Sequence, residues 1–412
     1  MSSRFHFLVL IITVAVSAAC ADAAPAAKKE KPAAPSPWAN WVEPDFPFYS
    51  SVLDARVEGD DLLKSNITPR GLILNLGADC WACFDTDLLR VSAIWKGAGV
   101  TPEALAPHSY HPDGSKTRGG QKPLPQPDGE IWIANGIYPG WQSGERLSLK
   151  DPRSPAPSPE EVGRGPLTQA QGRFKAVRIA GDGLILEYTV AGARVREWMI
   201  VSTHDGRPVV ERHFAVDSSE KPLLLALGGT ANGGVKLGES KGRRRLDRLQ
   251  RADSIWFARI PPGKSPARFV VAPSGAGDAP RLALRETPTS APKTRWPQEV
   301  ITTAKLSKSK KSYVVDNIAL PHKNPWRRNV RPGDIQFLKD GTGVATTLDG
   351  DVWLVRGLQD SMKEIRWKRF ASGLHEPMTC AIRDEQIYVF DKNGIWRLRD
   401  TNGDGEADVH DL

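Results

Sequence analysis

An acidic, glycine-containing loop near residue 400 carries the side chains best suited to chemistry. Segment 400–408 reads DTNGDGEAD, with oxygen-bearing side chains at the first, third, fifth and ninth positions and glycine at the sixth. Calcium takes roughly six to eight oxygen ligands, and this spacing is typical of a calcium loop. The alternative is an acidic turn that binds nothing tightly, because the flanking helix of an EF-hand is missing. The predicted calcium ligands are Asp400, Asn402, Asp404, Glu406, Asp408 and Asp411.

Three further side chains are candidates for proton transfer. Asp85 and Asp87 are two residues apart, so on a strand they would point the same way, as paired acid–base groups could. The alternative is a capped turn with a salt bridge to a neighbouring arginine. His375 precedes a predicted inner strand, where its imidazole could accept a proton from a ligand hydroxyl or hydrogen-bond to a neighbouring sheet.

Aromatic and cysteine side chains add weaker signals. Trp132, Tyr138 and Trp141 fall in a predicted loop and could form a surface for sugar rings. Cys80 and Cys83 could close a tight disulfide in an oxidising compartment. No histidine follows them, so no haem attachment motif is present, and a second pair for zinc is missing.

The N-terminal residues predict export. An apolar run follows Arg4, and small residues with an A-x-A pattern follow that run, so residues 1–24 are interpreted as a signal peptide. Lipid attachment at Cys20 is the alternative. Residues 25–45, rich in Ala, Lys and Pro, are predicted to be a flexible tether. We therefore expect a periplasmic or extracellular protein.

Composition excludes several partners. The formal net charge of +8 is modest for 412 residues, and the basic stretches at 243–251 and 305–311 are interpreted as solvated loops. No recognition-helix pattern supports nucleic-acid binding. No later segment is long and apolar enough to cross a membrane.

The pattern of strands and turns predicts an all-β protein. Residues 46–300 contain many short alternating segments, which favour a large antiparallel β-sandwich with long loops between 100 and 170. A linker is predicted at 301–326. Residues 327–412 contain an internal repeat of 43 residues, in which Trp353 falls on Trp396 and Thr346 on Val389. Each unit reads as strands joined by turns, which is the layout of a propeller blade.

The repeat predicts two blades of an incomplete β-propeller. Propellers close with at least about four blades, so further blades would have to come from another chain or from a longer protein. The second unit's outer strand is expected to begin at Glu406, next to the end of the chain.

Two stretches resemble known families. Segment 83–90, CFDTDLLR, with Trp95 and Gly97 behind it, resembles an uncharacterised domain family at the front of large exported bacterial proteins. Segments 349–353 and 373–377, with the acidic loop, resemble the propeller of soluble glucose/sorbosone dehydrogenases, which in such proteins is often followed by a c-type cytochrome domain. The resemblance implies sugar oxidation with pyrroloquinoline quinone and calcium as cofactors. Two blades cannot assemble a quinone site, and the front domain's activity is unknown by analogy.

Three functional hypotheses follow. The first is the exported front portion of a dehydrogenase-like protein, catalytically incomplete alone and completed by further blades or a cytochrome. The second is a stand-alone, calcium-stabilised module that binds carbohydrate. The third is a hydrolase that uses Asp85 and Asp87.

Overall fold

Antiparallel strands make up the regular structure of the protein, as a computed structural model shows, and the described residues contain no helix. The structure describes residues 43, 45–59, 61, 63–101, 124–155, 164–229, 234–246, 248–274, 282–359 and 361–412. The predicted signal peptide and most of the tether lie outside these ranges. Within them, no helix is long and apolar enough to cross a membrane. The all-β prediction is confirmed.

The front of the chain forms a five-stranded meander. Its strands, in both chain and spatial order, are β1 (Phe48–Asp54), β2 (Ile67–Gly77), β3 (Cys80–Asp85), β4 (Arg90–Val100) and β5 (Pro127–Ala134). Ala78 and Asp79 join β2 to β3 with φ angles of 51° and 56°. This left-handed backbone matches the twist of a tight hairpin and fixes its register. β5 falls in the region predicted to be a long loop.

A ten-stranded sheet joins the middle of the chain to its last strands. In spatial order it contains β12 (Gly234–Lys241), β15 (Ala267–Ser274), β10 (Arg207–Val216), β9 (Ala193–His204), β8 (Gly183–Val190), β7 (Gly172–Ala180), β26 (Val409–Asp411), β25 (Gly394–Arg399), β24 (Gln386–Asp391) and β23 (Thr379–Arg383). β7 to β10 fall within residues 46–300, where short alternating segments predicted antiparallel strands.

Three smaller sheets complete the fold. One contains β13 (Leu249–Ala252), β14 (Ile255–Ile260), β11 (Leu223–Gly228) and β6 (Trp141–Ser143). A second contains β16 (Glu299–Thr302), β22 (Ile365–Ala371), β21 (Val352–Arg356), β20 (Gly343–Thr347) and β19 (Pro332–Phe337). The third pairs β17 (Ala304–Lys305) with β18 (Asn317–Ile318). β16 to β18 fall in and beside the predicted linker.

One continuous core holds the sheets together. Leu72 and Phe84 of the front meander meet Leu186 and Val195 of the ten-stranded sheet in the same buried cluster. That cluster also reaches Trp396 of β25. Because burial of apolar surface is the main favourable contribution to folding, the front and the tail of the chain stabilise each other.

The repeat forms two four-stranded antiparallel meanders. The first unit contains β19 to β22, and the second unit contains β23 to β26. The first unit also pairs with β16, whereas β26 of the second unit pairs with β7. The structure therefore places the second unit in the same sheet as residues 172–216.

The structure shifts the alignment of the two units by one residue in one strand. Trp353 pairs with Ala345, and Trp396 pairs with Val389, so Ala345 and Val389 occupy equivalent positions. The uniform offset of 43 residues instead places Val389 on Thr346. The reason is a turn that is one residue longer in the first unit.

The two units contact each other along their first strands. The Asp334 carboxylate of β19 accepts hydrogen bonds from Thr379 Oγ1 at 2.7 Å and from the Cys380 N–H at 3.1 Å. A side chain at Gly333 would come within 3.0 Å of the Pro377 and Met378 carbonyl oxygens, so glycine permits this approach.

Candidate functional site

The acidic loop is shaped by hydrogen bonds from its own backbone. Asp400 accepts the N–H of Gly403 at 2.6 Å and the N–H of Gly405 at 2.8 Å. Both glycines have φ near 80°, in the left-handed region that glycine adopts without strain. Asn402 and Asp404 likewise accept the N–H two residues further on. These bonds curl the loop and draw its oxygens inward.

The later carboxylates of the loop are engaged elsewhere. Glu406 accepts the N–H of Arg295 at 2.8 Å and of Trp296 at 2.7 Å, and Lys368 Nζ lies 3.0 Å from it. The Asp408 carboxylate binds the hydroxyl and the N–H of Thr401. These contacts tie the loop to itself and to the segment that precedes β16.

Asp411 lies on β26 and is separate from the loop. Its carboxylate accepts hydrogen bonds from Arg397 at 2.9 Å and from Arg399 at 2.7 Å. Burial opposes ionisation, yet the bonds from Arg399 and Arg397 hold the pKa of Asp411 below its usual value. Within the described ranges, no three His, Cys, Asp or Glu side chains converge closely enough to hold a metal ion. Calcium also takes amide and backbone carbonyl oxygens, so calcium binding by the six residues stays a prediction.

The Glu406 contacts predict a large loss of stability when its carboxylate is replaced. In Glu406→Gln, one oxygen becomes an NH₂ group that faces N–H donors, and Lys368 loses its counter-charge. We expect the free energy of unfolding to fall by about 3 kcal/mol, measured by urea denaturation. The matched control is Glu364→Gln, since Glu364 pairs with Arg366 at the surface, where a loss under about 1 kcal/mol is expected. Equal losses in the two variants would contradict the role given to Glu406.

A cleft of about 600 Å³ borders the acidic loop. Its walls combine basic groups from the first unit and an acidic group from β16 with the loop backbone. They include Glu299, Arg356, Arg366, Lys368 and the segment 403–405. Glu299 lies between Arg356 at 3.3 Å and Arg366 at 3.1 Å, so its carboxylate compensates part of the positive charge of the walls. The cleft offers both hydrogen-bond donors and hydrogen-bond acceptors, and none of the described lining residues is aromatic.

Asp85 serves the turn after β3. Its carboxylate accepts the N–H groups of Asp87 at 3.0 Å and Leu88 at 3.1 Å, and its second oxygen binds Arg90 Nε at 3.0 Å. Both Asp85 and Arg90 are buried. This is the arrangement of a capped turn with a neighbouring arginine. A water-activating base would need access to solvent, which burial denies to Asp85.

Arg90 joins three segments that are distant in sequence. Its Nη1 donates to Asn66 Oδ1 at 2.8 Å and to the carbonyl oxygens of Asn135 at 2.7 Å and Gly136 at 2.5 Å. Sequence reasoning treats this arginine only as a partner of the aspartates. The structure identifies it as the centre of a buried polar network.

Asp87 is buried beside two arginines. Its carboxylate oxygens lie 3.0 Å from Arg70 Nη2 and 3.8 Å from Arg153 Nη1. Burial, followed by the negative charge of Asp85, raises the pKa of Asp87 to about 6. A pKa near neutrality suits an acid–base group, but the side chain does not face solvent.

His375 is buried at the junction of the two units. Its backbone N–H donates to the Asp391 carboxylate at 2.8 Å, and only 2% of the residue is exposed. Burial, helped by the Lys392 charge, lowers the pKa of His375 to about 3. Such an imidazole is neutral and weakly basic, and the surrounding protein separates it from a ligand in solvent.

Two rings of the predicted sugar surface lie in the core. Tyr138 donates its hydroxyl proton to Asn135 Oδ1 at 2.7 Å, and Trp141 Nε1 donates to the Tyr188 hydroxyl at 2.9 Å. Both are almost completely buried. The expectation that they form an exposed platform is wrong, because β6 pairs with β11 and carries Trp141 inward.

The possible disulfide is absent as well. Cys80, Cys83 and Cys380 are free, buried thiols. Cys80 belongs to the main core and Cys83 to a separate cluster with Tyr49 and Trp95, so the two sulfurs of β3 face opposite sides of the sheet. Burial raises the pKa of Cys83 to about 12, which makes it an unreactive structural thiol.

A second buried ionic network was not expected from the sequence. Asp351 accepts hydrogen bonds from Arg328 at 2.7 Å, Arg369 at 3.0 Å and Ser372 at 2.7 Å. The Arg369 guanidinium stacks 4.0 Å from the Trp296 ring centroid. The segment DGDVW indicates a tight turn, but no local pattern reveals that its second aspartate binds two distant arginines.

Comparison with known proteins identifies one domain. Residues 82–197 match the model of a domain of unknown function, DUF6797. Over this range, the predicted resemblance to an uncharacterised domain family is confirmed. No curated protein and no solved structure matches the chain, so the comparisons give no support to the dehydrogenase-like resemblance of the repeat.

Proposed function

We propose that this chain is the exported front portion of a dehydrogenase-like propeller protein and is catalytically incomplete alone. In this proposal the part that contains the DUF6797 match supports the repeat by packing against it, and the first and second units are the first two members of a ring of similar units. The supporting observation is the unequal burial of the two units.

The first unit is covered on both faces. On one face, Trp353, Val355 and Trp367 pack against Val330 in a separate cluster. On the other face, Val344, Val352 and Leu354 belong to the main core, together with residues of the second unit. Neither face of its central strands is left to solvent.

Among the residues that the structure describes, the second unit is covered on one face only. Val389, Trp396 and Leu398 are buried, whereas Phe390 is 47% and Ile395 is 62% exposed. Phe390 and Ile395 are direct neighbours across β24 and β25. We call the surface formed by Ala381, Tyr388, Phe390 and Ile395, with Met378 beside it, the open face.

The packing between the units suggests what would cover the open face. Trp396 and Trp353 are equivalent, and the tryptophan face of the second unit is turned toward the first unit, where Cys380 Sγ lies 3.4 Å from the Val344 carbonyl oxygen. The open face is the opposite face. A third unit that turned its own tryptophan face toward it would repeat the same contact, as successive blades of a propeller do.

The remaining parts of the proposal rest on resemblance alone. Pyrroloquinoline quinone and calcium would be the cofactors of a complete ring, and we assign no described residue to either. A c-type cytochrome would be the electron acceptor. The alternative, a stand-alone carbohydrate-binding module, gains no support from the buried Tyr138 and Trp141.

The coding sequence beyond Leu412 tests the proposal directly. We expect an open reading frame with about four or more further units of the same repeat. The extended protein, supplied with quinone and calcium, should reduce a dye with an aldose as electron donor, while residues 1–412 alone should not. A stop codon after Leu412 together with a soluble monomer would overturn the proposal.

The open face also predicts self-association of the chain when no further unit is present. We expect the wild-type chain to self-associate at about 50 µM protein. Phe390→Lys with Ile395→Lys should raise the dissociation constant of this association by at least about tenfold, because two apolar contacts are replaced by like charges. Sedimentation velocity measures the effect. The matched control is Phe337→Lys with Ile301→Lys, which changes a phenylalanine and an isoleucine of comparable exposure, 55% and 56%, outside the open face. A wild-type protein that is monomeric up to about 1 mM would contradict this prediction.

A further inference from the structure

Apart from Ile301, the exposed large hydrophobic side chains of the described residues fall in two regions. One region is formed by the inner strands of the repeat, including the open face. The other is the connection between β17 and β18. Its members are Leu306, Tyr313, Val314, Val315 and Ile318. Large apolar side chains grouped on a loop indicate an interaction site rather than random exposure.

The β17–β18 hairpin, residues 304–318, stands apart from the larger sheets. Among the described strands, β17 and β18 pair only with each other, over two residues each. Every residue from Lys305 to Ala319 is exposed. Tyr313 is 93% and Val315 is 76% exposed, so these side chains make almost no contact with the rest of the chain.

The same hairpin concentrates positive charge. Lys305, Lys308, Lys310 and Lys311 lie within seven residues, and none forms an ion pair with another described residue. The single acidic side chain, Asp316, accepts the Ser307 N–H at 2.7 Å and thereby closes the base of the loop. The hairpin therefore has a clear positive excess beside its apolar residues.

We propose that the β17–β18 hairpin docks the protein on an anionic lipid surface. The lysines would lie at the headgroup phosphates, while Tyr313, Val314 and Val315 would enter the boundary between headgroups and acyl chains. Tyrosine prefers that boundary, and clustered lysines are attracted by acidic headgroups.

The combination of residues favours lipid over a soluble polyanion. A nucleic acid or an acidic polysaccharide would attract the lysines but would leave the two valines in water. Only the boundary between a lipid bilayer and water offers both a negatively charged surface and an apolar phase within the reach of one short hairpin. Two valines and a tyrosine bury little area, so docking should be reversible and should depend on the lysines.

Sedimentation with vesicles tests the proposal. The full chain should bind phosphatidylcholine vesicles that contain phosphatidylglycerol and should not bind pure phosphatidylcholine vesicles. Lys308→Glu with Lys310→Glu and Lys311→Glu should weaken binding by at least about a hundredfold. Tyr313→Ser with Val315→Ser, which preserves the charge, should weaken binding by about tenfold.

A charge-matched control separates the hairpin from net charge. Arg207→Glu with Arg243→Glu and Arg248→Glu changes the charge equally at exposed residues outside the hairpin. This control should bind vesicles far better than the triple lysine variant. Equal loss in both would show attraction by net charge alone and would overturn the proposal. Heparin could instead displace the protein fully from vesicles and bind the Tyr313→Ser with Val315→Ser variant as strongly as the wild type. That result would show a site for a soluble polyanion and would also overturn the proposal.

Discussion

Replacing Arg90 with methionine is expected to lower the free energy of unfolding by about 4 kcal/mol. The buried guanidinium compensates the Asp85 carboxylate and satisfies acceptors on Asn66, Asn135 and Gly136. Methionine fills similar space but leaves a buried negative charge and three acceptors without their donor. Urea denaturation followed by tryptophan fluorescence measures the loss.

Two further variants make this prediction specific. Arg194→Met removes an arginine that pairs with Asp217 while 82% exposed, and it should cost less than about 1 kcal/mol. Asp85→Asn combined with Arg90→Met should recover part of the loss, because the buried charge is then removed as well. If Arg90→Met proves no more damaging than Arg194→Met, the network does not stabilise the fold in the way described.

The second large effect is a pH dependence that originates at His410. Burial lowers the pKa of His410 to about 4, with the nearby Asp411 charge acting in the opposite direction. In an unfolded chain a histidine titrates near 6.5. Between pH 6.5 and about 4, the side chain of His410 is protonated in the unfolded chain and stays neutral in the folded protein. The free energy of unfolding should therefore fall as the pH drops from about 6.5 to about 4, by about 3 kcal/mol from this residue.

His410→Leu isolates this contribution. The ring of His410 lies 5.1 Å from Phe48 and 6.4 Å from Trp396, so an apolar side chain of similar size suits the site. Subtracting the stability curves of wild type and variant cancels the other titrating groups, including Asp391, whose buried carboxyl has a pKa raised to about 6. The variant should gain on wild type progressively below pH 6.5. A difference that does not change with pH would refute the assignment.

Local patterns predicted much of the architecture. Alternating apolar residues predicted antiparallel strands within residues 46–300, and β7 to β9 follow that pattern, because side chains on a strand with one buried face must alternate. The recurrence of Trp353 at Trp396 identified two similar units. Both signals come from residues that are close together in sequence, so the sequence alone is enough to predict the strands and turns that they form.

Contacts between distant segments could not be read in the same way. Trp141 reads as a loop residue after Pro139 and Gly140, yet it is buried because β11 supplies a pairing partner more than 70 residues later. The longer turn of the first unit shifts one strand by one residue, which the uniform repeat conceals. Arg90 and Asp351 have no local signal, since their partners come from several segments.

The candidate site was predicted only in part. The turn geometry of the acidic loop follows from its Asp, Asn and Gly residues, which favour such backbone bonds. The sequence gives no indication that Glu406 binds Arg295 and Trp296, because that contact bridges about 110 residues. Whether carboxylates serve a metal or the fold depends on such partners.

The pairing of β26 with β7 bears on the order in which the protein can form. Val409 faces Arg178 and Asp411 faces Ala176, so a central pair of the largest sheet joins residues more than 200 positions apart. During synthesis the edge of β7 must stay unpaired until residue 411 has emerged, and unpaired edges invite incorrect pairing. Contacts of such long range also slow folding. Residues 409–411 thus set the earliest time at which the sheet can close.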